Sequence, residues 1–278
     1  MVAGWPKSRP ELPESYQRIY LEHSRQNRGG LYTTTSLSQR LEEWMHRRVA
    51  ADVAAGAAGS ATAGSKGGAF AGAPGQRPST LEIGAGTLNQ LRFEPAVGPY
   101  DIVEPYRELY DGSELLARVR RRYADIAEID PAARYDRITS IAVFEHIPDL
   151  PPVVARAALL LADGGTLRVG IPNEGTILWR LGTLVTGFEF KRRYGLDYQV
   201  LMRYEHVSTA DEIEAVVRLY FGDMKRSVLG LNRRLAVYRY LEAREPLRSE
   251  AASALRGGTA VTGPAAASAA TPVPPRTR

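Results

Sequence analysis

A chain of 278 residues, 44% of them hydrophobic, can bury the core of one large α/β domain or of two small ones. It has no cysteine, which excludes disulfides and thiolate metal sites, and no apolar run approaches the roughly 20 residues that a membrane span needs. The net charge of +5 owes part of its excess to tail arginines (Arg256, Arg276, Arg278), and the remaining basic residues are scattered, so no nucleic-acid partner is expected.

The first six residues lack the basic-then-apolar pattern of a signal peptide, which makes a cytoplasmic protein the plain expectation. Residues 1–12 are polar and proline-bearing and read as loose. From Glu14 to Ala50 the pattern is helical: Tyr16, Ile19 and Tyr20 share one face, and Leu37, Leu41, Trp44 and Met45 share another. Arg28-Gly29-Gly30 separates the two. Residues 1–50 are therefore expected to form an N-terminal helical cap. Residues 51–79 are dominated by alanine, glycine and serine and bury too little to offset the entropy of ordering, so they read as a flexible insert.

From residue 80 to 246 strand and helix patterns alternate. Strands are expected at about 80–83 (β1), 100–104 (β2), 122–125 (β3), 136–143 (β4) and 165–171 (β5). Helices are expected over 105–121, 152–161 and 209–220. The last opens with Thr209 and, three residues on, Glu212, the spacing of a capping box. Residues 225–230 (β6) and 234–241 (β7) alternate as two closing strands. This order implies an α/β fold, a Rossmann-like doubly wound sheet that is mostly parallel. Residues 251–278, rich in Ala, Gly, Pro and Thr, are expected to be a disordered tail.

The chemistry concentrates at Thr80-Leu81-Glu82-Ile83-Gly84-Ala85-Gly86-Thr87-Leu88, a strand, a glycine turn and a helix start. Gly84 and Gly86 permit a sharp turn with bare N–H groups for a ligand. About 20 residues later β2 ends in Glu104, a carboxylate able to accept both hydroxyls of a ribose. A dinucleotide fingerprint needs a third glycine where Asn89 stands, and no basic residue follows to meet phosphate. That argues against a nicotinamide-dependent oxidoreductase. Glu82, at the end of β1, suits a cationic ligand better than a pyrophosphate. S-adenosylmethionine carries such a cation beside its adenosine. Without a ligand, the glycines are only a turn and Glu104 only a helix first-turn acid.

With these segments on the page, the chain resembles the class I S-adenosylmethionine-dependent methyltransferases of the small-molecule type. Leu81 to Leu88 is similar to their first motif, and Ile102-Val103-Glu104-Pro105 to their second. Tyr135 to Asp149 is similar to their fourth-strand segment, and Leu159 to Leu167 to the helix-to-β5 passage. The resemblance covers roughly residues 80–242. It implies a closing antiparallel hairpin, β6 then β7, and S-adenosyl-L-methionine as cofactor. The turn Gly84-Ala85-Gly86 would carry its methionyl part, with Glu82 behind it. Glu104 would hold the ribose, Asp125 and Ile126 the adenine (with Asp130 as competitor), and Phe144 would stand beside the sulfonium.

His146 would be a general base for an acceptor hydroxyl, and His206 a second candidate. Equally, Glu145-His146 is a pair that orients loops. Residues 188–206, mixing tyrosines and arginines, suit a small polar acceptor such as a sugar, and would serve equally as an interface. The implied activity is methyl transfer to a small polar acceptor, in the first place O-methylation of a hydroxyl. A non-catalytic S-adenosylmethionine-binding scaffold or regulatory subunit is the alternative. His23 and His46 have no partners at metal-ligand spacing, so no metal site is expected.

Overall fold

Seven strands form one sheet in the order β3-β2-β1-β4-β5-β7-β6. Their bounds are Thr80–Ile83 (β1), Tyr100–Val103 (β2), Arg121–Tyr123 (β3), Tyr135–Ile141 (β4), Leu161–Pro172 (β5), Phe221–Asn232 (β6) and Leu235–Pro246 (β7). β1 runs parallel to β2 and β4, β2 to β3, and β4 to β5. β7 is antiparallel to both β5 and β6, the closing hairpin that the resemblance implied. The computed structural model describes residues 2–17, 43–51, 78–95, 98–173, 176, 184, 187–188, 190–232 and 235–257.

The central strands are buried on both faces, and their sequences show it. Leu81, Ile83, Ile138, Leu167, Val169 and Ile171 are all within 3% of complete burial. One face of the sheet is covered by α1 (Leu150–Leu160), α3 (Ala210–Tyr220) and α4 (Arg248–Gly257). Val154, Ile213 and Val217 fill that core, each burial contributing about 1.5–3 kcal/mol. A fourth helix, α2 (Tyr198–Glu205), follows β5 in the chain and buries Leu201 with Leu12, Tyr16 and Phe190. The other face holds two smaller clusters. Ala85, Leu88, Leu91, Tyr100, Ile102 and Tyr110 pack beside β1 and β2, while helical residues 43–51 place Met45 and Val49 on Ile141 and Tyr240.

A buried ion pair ties residues 43–51 to the sheet. Arg137, on β4, donates to both oxygens of Glu94 (2.9 and 2.7 Å) and to the Val49 carbonyl (2.8 Å). Gln90 donates to Glu94 at 2.6 Å, and the His46 ring meets Gln90 at 2.8 Å. His46 thus has a structural place.

The capping box forms as read: Thr209 Oγ1 accepts the Glu212 N–H at 3.3 Å, and Glu212 accepts the Thr209 N–H at 2.9 Å. Four expectations fail. Residues 105–121 are not one helix but two 3-10 turns, Arg107–Leu109 and Glu114–Arg118. Gly112 interrupts them, and the Ser113 hydroxyl caps the second by accepting the Leu115 N–H. Past Gly86, the expected helix start is a left-handed Leu88 (φ 64°) and a 3-10 turn, Asn89–Arg92.

The N-terminal segment is docked rather than loose. Lys7 donates its N–H to the Pro148 carbonyl (2.9 Å) and pairs with Glu212, and Leu12 is buried. Finally, residues 251–257, expected in the disordered tail, belong to α4. Ala251 is fully buried there, and Arg248 donates to the Leu161 carbonyl at 2.8 Å. The remainder of the tail, most of the 51–79 insert, and the positions of Ile19, Tyr20, Leu37 and Leu41 lie outside the described residues. Among the described residues, no helix is long and apolar enough to cross a membrane.

Candidate active site

The strand order reverses between β1 and β4, and ligands of doubly wound sheets sit in the crevice at such a point. Gly84 follows β1 there with φ 74°, and Val143, just past β4, packs on it so closely that a Cβ at residue 84 would come within 2.4 Å of the Val143 Cγ2. Only glycine fits, for both reasons. Gly86 (φ 50°) has open space where its side chain would be, so the cleft side of the turn is bare backbone.

Glu104 turns toward this bend. One oxygen accepts the Gly86 N–H at 2.9 Å and the other the Tyr106 N–H at 3.0 Å. The Glu104 N–H in turn donates to the Tyr123 carbonyl at 2.9 Å, joining the ends of β2 and β3. Two strands and the glycine turn therefore converge on one residue, Glu104, through its backbone and its carboxylate.

Glu82 lies behind the turn, 3% exposed, and accepts a hydrogen bond from the Tyr100 hydroxyl at 2.9 Å. Burial pushes its pKa up to about 8. The Tyr100 bond pulls against that shift, and Glu94 and Glu104 reinforce it. At neutral pH, with no ligand, this group is largely the protonated acid. A cation seated at the turn would draw its pKa back down.

Ala85 is buried beside Leu88 and Ile102. Asp125 is exposed and caps its own turn, accepting the Ala127 N–H at 2.7 Å; Asp130 does the same for Ala132 at 2.8 Å. The Ile126 and Phe144 side chains sit in the main core, so these two residues have only backbone to offer a ligand.

The two candidate histidines, 60 positions apart, stand side by side. Their ring centroids are 4.7 Å apart in an edge-to-face arrangement. His146 Nδ1 faces the Glu205 carbonyl at 3.0 Å, and the His146 carbonyl accepts from the Arg9 guanidinium at 2.9 Å. Burial lowers the His146 pKa, the Glu205 carbonyl bond opposes this, and Arg9 adds to it. Burial and the neighbouring His146 take His206 down to about 3. Both rings are therefore neutral at pH 7. Glu145, with a carboxylate oxygen within 4.8 Å of a nitrogen of each ring and 2% exposed, is pushed up to about 8 by burial.

A cluster of aromatic side chains is joined to this group through Arg9. Leu12 and Tyr16 pack with Phe190 and Leu201, flanked by Tyr194, Tyr198 and Tyr204. The Tyr16 hydroxyl accepts the Asp197 N–H at 2.8 Å, and the Arg9 guanidinium lies 5.5 Å from the Tyr204 ring centre. Sequence reasoning missed Arg9, and it treated Glu145 only as a partner for orienting loops. Nothing in residue spacing signals Arg9. Glu145 had a signal, an acid in an otherwise apolar strand end.

Residues 41–215 match the family model described as a methyltransferase domain. The chain belongs to this family. It is a class I S-adenosylmethionine-dependent methyltransferase by fold, and S-adenosylmethionine is its cofactor. No curated protein sequence matches it.

Among solved structures, a possible exported protein from Bordetella parapertussis is similar at 14% identity, over 81% of this methyltransferase and 79% of that chain, with a TM-score of 0.51. A possible histamine N-methyltransferase from Thermotoga maritima shares 14% identity over 82% and 97% of the two chains (TM-score 0.49). The N-methyltransferase NodS from Bradyrhizobium japonicum, in complex with S-adenosyl-L-homocysteine, shares 13% over 84% and 100% (TM-score 0.47). At these identities the likeness is one of fold alone.

Proposed function

We propose that this methyltransferase transfers the methyl group of S-adenosylmethionine to a hydroxyl of a small polar acceptor, a sugar or a similar metabolite. The observation that carries the reading is the pair of neutral imidazoles, His146 and His206, just past the β4 end and linked through Arg9 to the aromatic cluster built by residues 12–16 and 190–204. Neutral imidazoles receive a hydroxyl, and the tyrosines and arginines of the cluster suit a polar, oxygen-rich molecule. Glu104 is assigned to the ribose hydroxyls, the Gly84-Ala85-Gly86 turn and Glu82 to the methionyl end, and Asp125 and Ile126 to the adenine. Phe144 is assigned to the cleft wall through its backbone.

In the reaction the acceptor oxygen attacks the methyl carbon in line, the C–O bond forms and the C–S bond breaks. The sulfonium leaves as a neutral thioether, and the acceptor's proton is lost. Because the sulfonium is already a good leaving group, most of the catalytic work is alignment. Removal of the proton is assigned to the imidazole pair and its surroundings. A screen of hydroxylated and amine acceptors with methyl-labelled cofactor tests this. Label should appear in a methyl ether of a hydroxylated acceptor; label found only on amines would overturn the oxygen assignment.

A further inference from the structure

Glu145 is fully enclosed, yet its Oε2 accepts no hydrogen bond, and the Arg9 guanidinium donates to the His146 carbonyl rather than to this carboxyl. A buried carboxyl without a donor or a cation is costly to keep. Two imidazoles surround it, and ligand atoms of Glu145, His146 and His206 all lie within 4.8 Å of one another. A carbonyl can only accept, so the Glu205 carbonyl at 3.0 Å fixes the proton of His146 on Nδ1. The His146 Nε2 lone pair is thereby presented to the cluster, 3.8 Å from Glu145 Oε1. Holding one ring nitrogen on a backbone carbonyl is how proteins orient a histidine that ligates through the other. The backbone is also set: the Glu145 carbonyl accepts the N–H groups of Val207 (2.9 Å) and Ser208 (3.3 Å), which pins the chain carrying His206 against it.

We propose that Glu145, His146 and His206 form a site for one divalent transition-metal ion at the acceptor end of the cleft. Two imidazole nitrogens and one carboxylate oxygen suit ions of borderline softness such as Zn²⁺, Co²⁺, Mn²⁺ or Fe²⁺. Mg²⁺ and Ca²⁺ prefer all-oxygen shells. Bond lengths of about 2.0–2.2 Å require the three ligands to close by roughly 1 Å on binding. Three protein ligands leave positions open. Resting on the methyl-transfer reading, an open position takes the acceptor oxygen. With the ion bound both imidazoles are ligands, and the ion takes over their role toward the proton: coordination lowers the hydroxyl's pKa, the proton leaves to solvent, and the oxygen displaces the thioether from the methyl carbon. The 60-residue separation of His146 and His206 kept this cluster out of any spacing pattern.

The test uses tag-free, chelator-stripped full chain titrated with Co²⁺, read by its visible ligand-field bands, and with Zn²⁺ in competition. The expected result is one ion per chain, with affinity reduced at least ~10-fold in both Glu145→Gln and His206→Asn. Calorimetry with S-adenosylmethionine on the same samples reports whether each variant is folded. Wild-type protein that binds S-adenosylmethionine but takes up neither Co²⁺ nor Zn²⁺ would overturn the site and leave the methyl-transfer reading intact. So would a folded variant that binds Co²⁺ as tightly as wild type. If an acceptor is methylated at the same rate with and without chelator, the ion's catalytic role is overturned even where the ion binds.

Discussion

Glu104 reaches Gly86 across 18 residues of sequence, whereas Arg9 reaches His146 across 137 and Asp197 reaches Tyr16 across 181. The half of the cleft assigned to the cofactor is thus made of two adjacent strand ends and a turn. The half assigned to the acceptor is assembled from an N-terminal segment, the end of β4 and the connection after β5. A local half keeps its shape as long as the sheet does. An assembled half depends on each docked piece, and can be altered without disturbing its neighbour. The two halves should therefore separate in experiment, one controlling cofactor affinity and the other acceptor use.

The largest effect should fall on the support common to both. Arg137→Met leaves Glu94 buried without its partner, and should cost about 3–5 kcal/mol of global stability by urea denaturation. Loss well below that would mean Glu94 is reached by water, and would weaken the idea of a shared rigid base.

Next comes the cofactor half and its pH response. Glu82 has a folded pKa of about 8 against an ordinary 4.5, so over that interval the folded chain holds a proton that the unfolded chain has lost. Its contribution to stability is complete below pH 4.5, falls by up to about 1.4 kcal/mol per pH unit, and is gone above about 8. Glu145, raised to the same value, gives a second slope of the same sign. His206, lowered from 6.5 to about 3, gives the opposite slope, but only below pH 6.5. The clean window is pH 6.5–8. There Glu82→Gln should flatten the decline in stability partway, measured by urea midpoints at fixed ionic strength.

The smallest effect belongs to the acceptor half. Tyr16→Phe removes the acceptor of the Asp197 N–H, worth about 1 kcal/mol. Acceptor KM should rise roughly five-fold, the rate equivalent of that energy, while cofactor affinity stays as it was. A matched loss of cofactor affinity would show that the halves are coupled.

The same contrast explains what could be read in advance. β1, the Gly84–Gly86 bend and Glu104 are contiguous or nearly so, and each has one structural use, so residue type and spacing suffice. The Thr209–Glu212 box is local in the same way. The helix expected over 105–121 from the strand–helix alternation is broken at Gly112-Ser113, where a serine cap restarts the turn. The α4 helix was hidden by alanine-rich composition: what orders it is Ala251 packing into the core shared with α1, a contact that composition does not encode. Docking of residues 5–12 rests on backbone carbonyls such as Pro148 and His146, which leave no trace in side-chain pattern. The meeting of Glu145, His146 and His206 is a product of the tertiary fold alone.

Calorimetric titration of S-adenosylmethionine into wild type and Glu104→Ala tests the central assignment most directly. Loss of a carboxylate that grips the ribose hydroxyls should weaken binding about 10- to 100-fold, in keeping with charged hydrogen bonds worth about 1.5–3 kcal/mol. Equal affinity in the two proteins, with the variant still folded, would contradict it.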